Sequence, residues 1–206
     1  MILAGLPALA AGGCGGEPAD SPDAPDAAVE LPPPGTSEVS GQLAVRPGAA
    51  TGIVTLDPHG PLDVPLPAEP GEMDQYARSF VPTLVVVREG QAVRFINSEN
   101  ELHNVNVADE AGETLFNVGM PIQGGTYDHV FERAGSYRVR CNVHQEMAAT
   151  VRVTASPFIA IADRDGAFAI AGVPYGAYDL VVRRGAERIE REITVDGPRT
   201  DLGGIE

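Results

Sequence analysis

From Leu84 to Val153 the sequence runs in short apolar alternations, each broken after a few residues by Gly, Asn, Asp or Glu. That cadence leaves little room for anything but sheet. Leu84-Val85-Val86-Val87 is followed by a turn at Glu89-Gly90. Then come Ala92-Val93-Arg94-Phe95-Ile96, Val105-Asn106-Val107, Thr114 to Val118, Tyr127 to Phe131, Tyr137-Arg138-Val139-Arg140-Cys141 and Thr150-Val151-Arg152-Val153. A period of two sends successive side chains to opposite faces of a strand, and runs this short are strand-sized rather than helix-sized. About eight such strands in about 80 residues predict a β-sandwich. The whole chain has 24 Gly and 18 Pro but no Trp, which supplies turns in plenty and predicts little helix.

Between the last two runs lies Cys141-Asn142-Val143-His144-Gln145-Glu146-Met147. A soft thiolate, an imidazole and a thioether within seven residues suit a copper ion that cycles between Cu(I) and Cu(II). Such a site needs a second nitrogen, and His103 in Leu102-His103-Asn104-Val105 is the candidate. Taken singly, each residue has a bland explanation: a Cys at a strand end is usually a small buried hydrophobe, a Met is core filler, and a His is often a satisfied core residue. Four donor types in this order, inside a strand pattern of this class, favour copper. Zinc is the poorer fit, because a thioether is of little use to it. His59 and His129 are expected at the surface, as are Arg94, Arg138, Arg140 and Arg152 on the outward faces of their strands.

The chain carries 29 acidic residues against 14 basic ones, all Arg, for a formal charge of -15. That balance argues against nucleic acid as a partner. Residues 1–14 are apolar and rich in small side chains up to Leu9-Ala10-Ala11-Gly12-Gly13-Cys14. The stretch resembles a bacterial lipoprotein signal, in which the Cys, here Cys14, becomes the lipidated first residue. It departs from that pattern in having no Arg or Lys before its apolar part and Ala11 where Leu is usual. The resemblance implies an exported protein, in the periplasm or at the cell surface, held at the membrane by a lipid anchor. Residues 15–37 are Pro, Ala and acids without a base, a composition that cannot bury enough surface to fold, and are expected to form a disordered tether. With Cys14 and Cys141 so assigned, no disulfide is left to form.

Residues 38–57 hold two alternating runs, Val39 to Val45 and Ile53 to Leu56, separated by Arg46-Pro47-Gly48, and a Pro-dense loop follows from Asp57 to Gly71. Residues 155–206 begin with Phe158-Ile159-Ala160-Ile161, an Asp165-Gly166 turn, Ala167 to Ile170, and then Val173-Pro174-Tyr175-Gly176-Ala177-Tyr178-Asp179-Leu180-Val181-Val182. This resembles the carboxypeptidase regulatory-like (transthyretin-like) sandwich. The opening strands of that family are missing just before Phe158 but resemble Gly41 to Val45 and Val54 to Leu56. The expectation is one discontinuous small sandwich, with residues 39–57 paired to residues 156–195.

Residues 72–154 resemble the cupredoxins, the plastocyanin and amicyanin family. The resemblance rests on Gly90-Gln91-Ala92-Val93-Arg94-Phe95-Ile96-Asn97, on His103-Asn104-Val105, and on Gly135-Ser136-Tyr137 leading to Cys141, His144 and Met147. It implies an all-β chain: a Greek-key cupredoxin sandwich joined to the smaller transthyretin-like one. It further implies one type 1 copper ion held by His103, Cys141, His144 and an axial Met147, with Asn104 pinning the Cys-bearing loop from behind. Glu146, where relatives have an apolar residue, is expected to place a carboxylate beside His144. The implied function is that of a one-electron carrier serving a redox partner protein, and not an enzyme. Copper storage or delivery, and a surface interaction protein with a vestigial copper site, are the alternatives.

Overall fold

The computed structural model describes residues 35–45 and 51–206, so Cys14, nearly all of the expected tether and the turn at Arg46-Pro47-Gly48 lie outside the described residues. Among the described residues the chain is all-β, and no helix is long and apolar enough to cross a membrane. Sixteen strands follow in chain order: β1 Thr36–Leu43, β2 Ile53–Pro58, β3 Gly71–Tyr76, β4 Ser79–Val81, β5 Leu84–Arg88, β6 Ala92–Asn97, β7 His103–Ala108, β8 Thr114–Met120, β9 Gly125–Val130, β10 Gly135–Arg140, β11 Ala148–Thr154, β12 Phe158–Ile161, β13 Ala167–Pro174, β14 Gly176–Arg184, β15 Glu187–Val195 and β16 Arg199–Ile205.

They form two sandwiches. The first stacks the five-stranded sheet β5-β11-β10-β7-β8 on the four-stranded sheet β4-β3-β6-β9. Its core follows from the alternation: Val85 and Val87, Val93 and Phe95, Val105 and Val107, Tyr137 and Val139, and Val151 and Val153 all point inward and are buried. At roughly 1.5 to 3 kcal/mol for each large apolar side chain taken out of water, this shared interior is what holds the two sheets together. Gly90, at φ 80, turns the chain from β5 into β6, a conformation costly for any residue with a Cβ.

The second sandwich is split in sequence. Its sheets are β13-β1-β16 and β12-β2-β14-β15, so β1 and β2 are interior strands of sheets otherwise built from residues 158–205. In β2, Leu56 stands opposite Phe158 on one side and Leu180 on the other. The chain leaves for the first sandwich through residues 59–70, pinned where the Arg88 guanidinium donates to the carbonyls of Val64 (2.9 Å) and Pro65 (2.8 Å). It returns at Ser156, whose buried hydroxyl donates to the Leu56 carbonyl at 2.7 Å.

Four features differ from the sequence expectation. β1 starts at Thr36, inside the stretch expected to be a tether, because Ser37 is fully buried and its hydroxyl meets that of Thr200 at 3.0 Å. β3 and β4 were not expected, since the inward positions of β3 are Met73 and then Gln75, and the polar Gln hides the alternation. β15 and β16 continue the sheets beyond Val182, the first carrying four charged residues on its exposed positions and the second interrupted by Gly203-Gly204. Finally, His129 is not a plain surface residue. Its ring lies 4.4 Å from that of Phe116 and 4.9 Å from that of Phe131, and burial lowers its pKa below the ordinary histidine value.

Candidate metal centre

At one end of the first sandwich the inner-face rows stop being apolar. In β3 the row passes from Met73 to Gln75, in β6 from Phe95 to Asn97, in β7 from Val105 to His103, and in β10 from Val139 to Cys141 just beyond the strand. All four polar ends are buried, and Gln75, Asn97 and His103 are wholly so. β10 pairs with β7 as far as Arg140 opposite Asn106, so the next residue, Cys141, comes level with Val105, and His103 is the following position on the same inward row of β7. The chain then turns back on itself: Met147 N–H donates to the His144 carbonyl at 3.0 Å, and Cys141 N–H to the Met147 carbonyl at 3.3 Å. That tight loop turns His144 inward and buries Met147 against the core.

His103, Cys141 and His144 offer donor atoms to one another. Cys141 Sγ lies 4.0 Å from His103 Nδ1 and 3.9 Å from His144 Nδ1, and the two Nδ1 atoms are 3.1 Å apart. The centre of that triangle is about 2.1 Å from each atom, close to the length of a metal bond to imidazole and a little short of one to thiolate. Two Nδ1 atoms at 3.1 Å can share a proton when one of them carries it, and when both offer lone pairs the arrangement is suited to a cation at the centre. An imidazole that offers Nδ1 carries its hydrogen on Nε2, and for His103 that atom meets Glu99 Oε2 at 3.1 Å.

The loop bearing the cysteine is held from β7. Asn104 Oδ1 accepts the Asn142 backbone N–H at 2.6 Å, while its amide donates to Asn117 Oδ1 at 2.6 Å and its carbonyl accepts from Gln75 Nε2 at 3.1 Å. Asn106 Nδ2 adds a donor to Asn142 Oδ1 at 3.2 Å. Asn97 does the same for the segment before His103, donating to the carbonyls of Met120 and Glu101 and accepting from the Glu99 N–H. The site is therefore braced by side-chain hydrogen bonds, most of them to backbone, that do not depend on metal.

Two carboxylates that the sequence did not single out lie on the Nε2 side of the imidazoles. Glu146 is exposed, and the carboxylate within ion-pair distance of His144 is instead Glu101, at 3.6 Å from Nε2. Glu101 is gripped by Arg78, whose Nε and Nη2 donate to its two oxygens at 3.0 and 3.1 Å. These bonds to Arg78 hold the Glu101 carboxyl below its usual value, and Glu101 raises the arginine in turn. The Arg78 backbone N–H donates to Glu99 Oε2 at 3.0 Å. Arg78 reaches this position from the two-residue turn between β3 and β4, where it and Ala77 both have φ 51. Turns of that kind usually take Asn-Gly, and each residue with a Cβ in the left-handed region costs roughly 1 to 2 kcal/mol. That two acids flank Asn100 was the only signal in the sequence that could have pointed to Glu99 and Glu101; nothing there pointed to Arg78.

Residues 71–154 match the family of copper binding proteins described as the plastocyanin/azurin family, a span that contains all four candidate ligands. With that match, the soft donor set gives copper as the cofactor of the His-Cys-His-Met site. Among solved structures, the chain is similar to a purple cupredoxin from Nitrosopumilus maritimus at 25% identity and a TM-score of 0.37, over 41% of this chain and 99% of that one. It is similar to the reduced state of an amicyanin mutant at 24% identity and a TM-score of 0.39, over 49% of this chain and 98% of that one. It is also similar to the Cu-containing nitrite reductase from Thermus scotoductus SA-01 at 23% identity and a TM-score of 0.39, over 48% of this chain but only 25% of that one. No curated protein is similar enough to the chain to count as a match.

Proposed function

We propose that this chain is a one-electron carrier in which His103, Cys141, His144 and Met147 hold a single type 1 copper ion. The observation that carries this is the triangle of Sγ and two Nδ1 atoms at 3.1 to 4.0 Å, sized for one ion and braced by Asn104. Bound there, copper supplies a one-electron couple stabilised by thiolate and imidazole. The protein's part is to hold the donors still in both oxidation states, and the hydrogen bonds of Asn104 and Asn97 do that. His103, Cys141 and Met147 are buried, and water is kept from them. His144 alone of the four is partly exposed, with Val143 beside it at the surface, so a redox partner protein would meet the site there. Four protein donors leave no position for a substrate, which favours a carrier over an enzyme. The polar end of the core supports the role, the exported location and lipid anchor at Cys14 complete the proposal, and the split sandwich is proposed as a transthyretin-like structural module.

Adding one equivalent of Cu(II) to the full chain and recording the visible spectrum tests this. An intense charge-transfer band lost in Cys141→Ser is expected. Met147→Leu should keep the colour and raise the reduction potential, and His144→Gly should slow electron exchange with a small redox dye. A colourless stoichiometric Cu(II) complex of the unmutated protein rules the proposal out.

A further inference from the structure

Arg78 sits outside the donor set, on an exposed hairpin, and yet it organises the charge on the far side of both imidazoles. It holds Glu101 with a two-pronged guanidinium grip and Glu99 with its backbone N–H, and these are the carboxylates facing His144 Nε2 and His103 Nε2. We propose that Arg78 is a positioning residue that raises the reduction potential of the copper site, by holding its positive charge against Glu101 and Glu99 and so offsetting the negative charge that these carboxylates bring to the two imidazoles. This rests on the copper assignment above.

Three observations support it. The grip is bidentate, the geometry in which arginine gains orientation as well as charge, and it directs one Glu101 oxygen to His144. The turn that delivers Arg78 is built from two residues with a Cβ at positive φ, although glycine would fit there without strain. Arg78 also supplies the one cationic side chain within ion-pair distance of Glu101 or Glu99 apart from the two imidazoles, among the described residues. The sign of each effect follows from charge. The oxidised site carries one more positive charge than the reduced one, so a carboxylate beside an imidazole favours oxidation and lowers the potential, and a guanidinium does the reverse.

The experiment is voltammetry of the copper-loaded full chain at low salt for wild type, Glu101→Gln, Arg78→Gln and the double variant. Glu101→Gln should raise the potential, Arg78→Gln should lower it, and the double variant should lie between the two. High salt should shrink both shifts, because the hairpin is exposed. A residue that serves only the fold would move both single variants in one direction or neither, and that result overturns the proposal. Metal-free protein gives a second measurement. Arg78→Gly removes the side chain and relieves the turn, so its unfolding midpoint should hold or rise; a fall shows that Arg78 is kept for the hairpin and overturns the proposal. Failure of the unmutated chain to bind copper or colour overturns the copper assignment instead, which keeps the two failures apart.

Discussion

The two sandwiches of this chain are built alike and used differently. Each stacks two sheets on an apolar interior, and each has a tyrosine whose hydroxyl donates to the carbonyl four residues upstream, Tyr137 to Arg133 at 2.8 Å and Tyr178 to Pro174 at 2.7 Å. In the split sandwich the inner rows are mostly apolar, as in Val54 and Leu56, Phe168 and Ile170, or Tyr178, Leu180 and Val182, and a buried polar residue ends a row only singly, Ser37 in β1 and Arg184 in β14. In the other, four rows end in Gln75, Asn97, His103 and Cys141 at one pole. Burying polar groups costs stability unless every one is paired, so only a function justifies gathering them. The pairing is nearly complete there, with Gln75 Oε1 the exception. The lesson is that a sandwich acquires a site by substituting the last residue of its inner rows, while the layers beneath stay as they were.

The largest test of that contrast is to delete residues 35–58. Because β1 and β2 lie inside their sheets, β12 to β16 would be left as two sheets with unpaired interior edges. Denaturant unfolding followed by circular dichroism should show the split sandwich without a cooperative transition, while copper colour from residues 71–154 persists. If residues 155–206 fold cooperatively alone, the two regions are not joined as described. A smaller step is Leu180→Ala, at a fully buried position between β2 and β15. It should cost about 2 to 5 kcal/mol in the split sandwich and leave the charge-transfer band unmoved. A shifted band would mean that the two cores are not independent.

Alternation made most strands of the first sandwich legible, since inward residues such as Val85 and Val87 or Val151 and Val153 recur every second position within a strand, and His103, Cys141, His144 and Met147 stood out as candidate ligands because their donor types are rare together. The broken motif around residues 39–57 and 156–182 likewise pointed to strands that do pair. What was not legible depends on contacts between distant segments. Gln75 reads as a surface residue until its place on the inner row is known. Arg78, Glu99 and Glu101 read as a solvated face until the β3–β4 turn is folded against the segment before His103. Glu146 is next to His144 in sequence, but loop direction, not sequence distance, decided which carboxylate reaches the ring.

A third test compares one side-chain hydrogen-bonding residue from each region. Asn104→Ala removes the acceptor of the Asn142 N–H and the donor to Asn117, part-buried bonds whose partners can turn to water, and should cost about 1 kcal/mol in the metal-free protein. Ser156→Ala removes a hydroxyl that braces β2 at the Leu56 carbonyl, for about 1 kcal/mol. The two should separate spectroscopically rather than thermodynamically. Asn104→Ala is expected to broaden the copper signal in electron paramagnetic resonance as the cysteine loop loosens, and Ser156→Ala to leave it sharp. Equal broadening would show that the bracing is global.

The smallest effect expected is one of pH, and its sign is opposite in the two regions. His129, in β9 of the first sandwich, has its pKa lowered by burial between aromatic rings, so its contribution is fully present above the unfolded value of about 6.5 and is lost as pH falls through the lower folded value. His59, beyond β2 of the split sandwich, has its pKa raised by the hydrogen bond to Asp179 at 2.9 Å. Its contribution is fully present below about 6.5 and is lost as pH rises through the higher folded value. Acidification across this window therefore loosens one sandwich while tightening the other. Native-state hydrogen exchange reads each separately, through the amides of β8 and β9 and those of β2 and β14. His129→Phe should abolish the first trend and His59→Gln the second. Should both sets of amides change protection in the same direction as pH falls, the two histidines are not what distinguishes the regions.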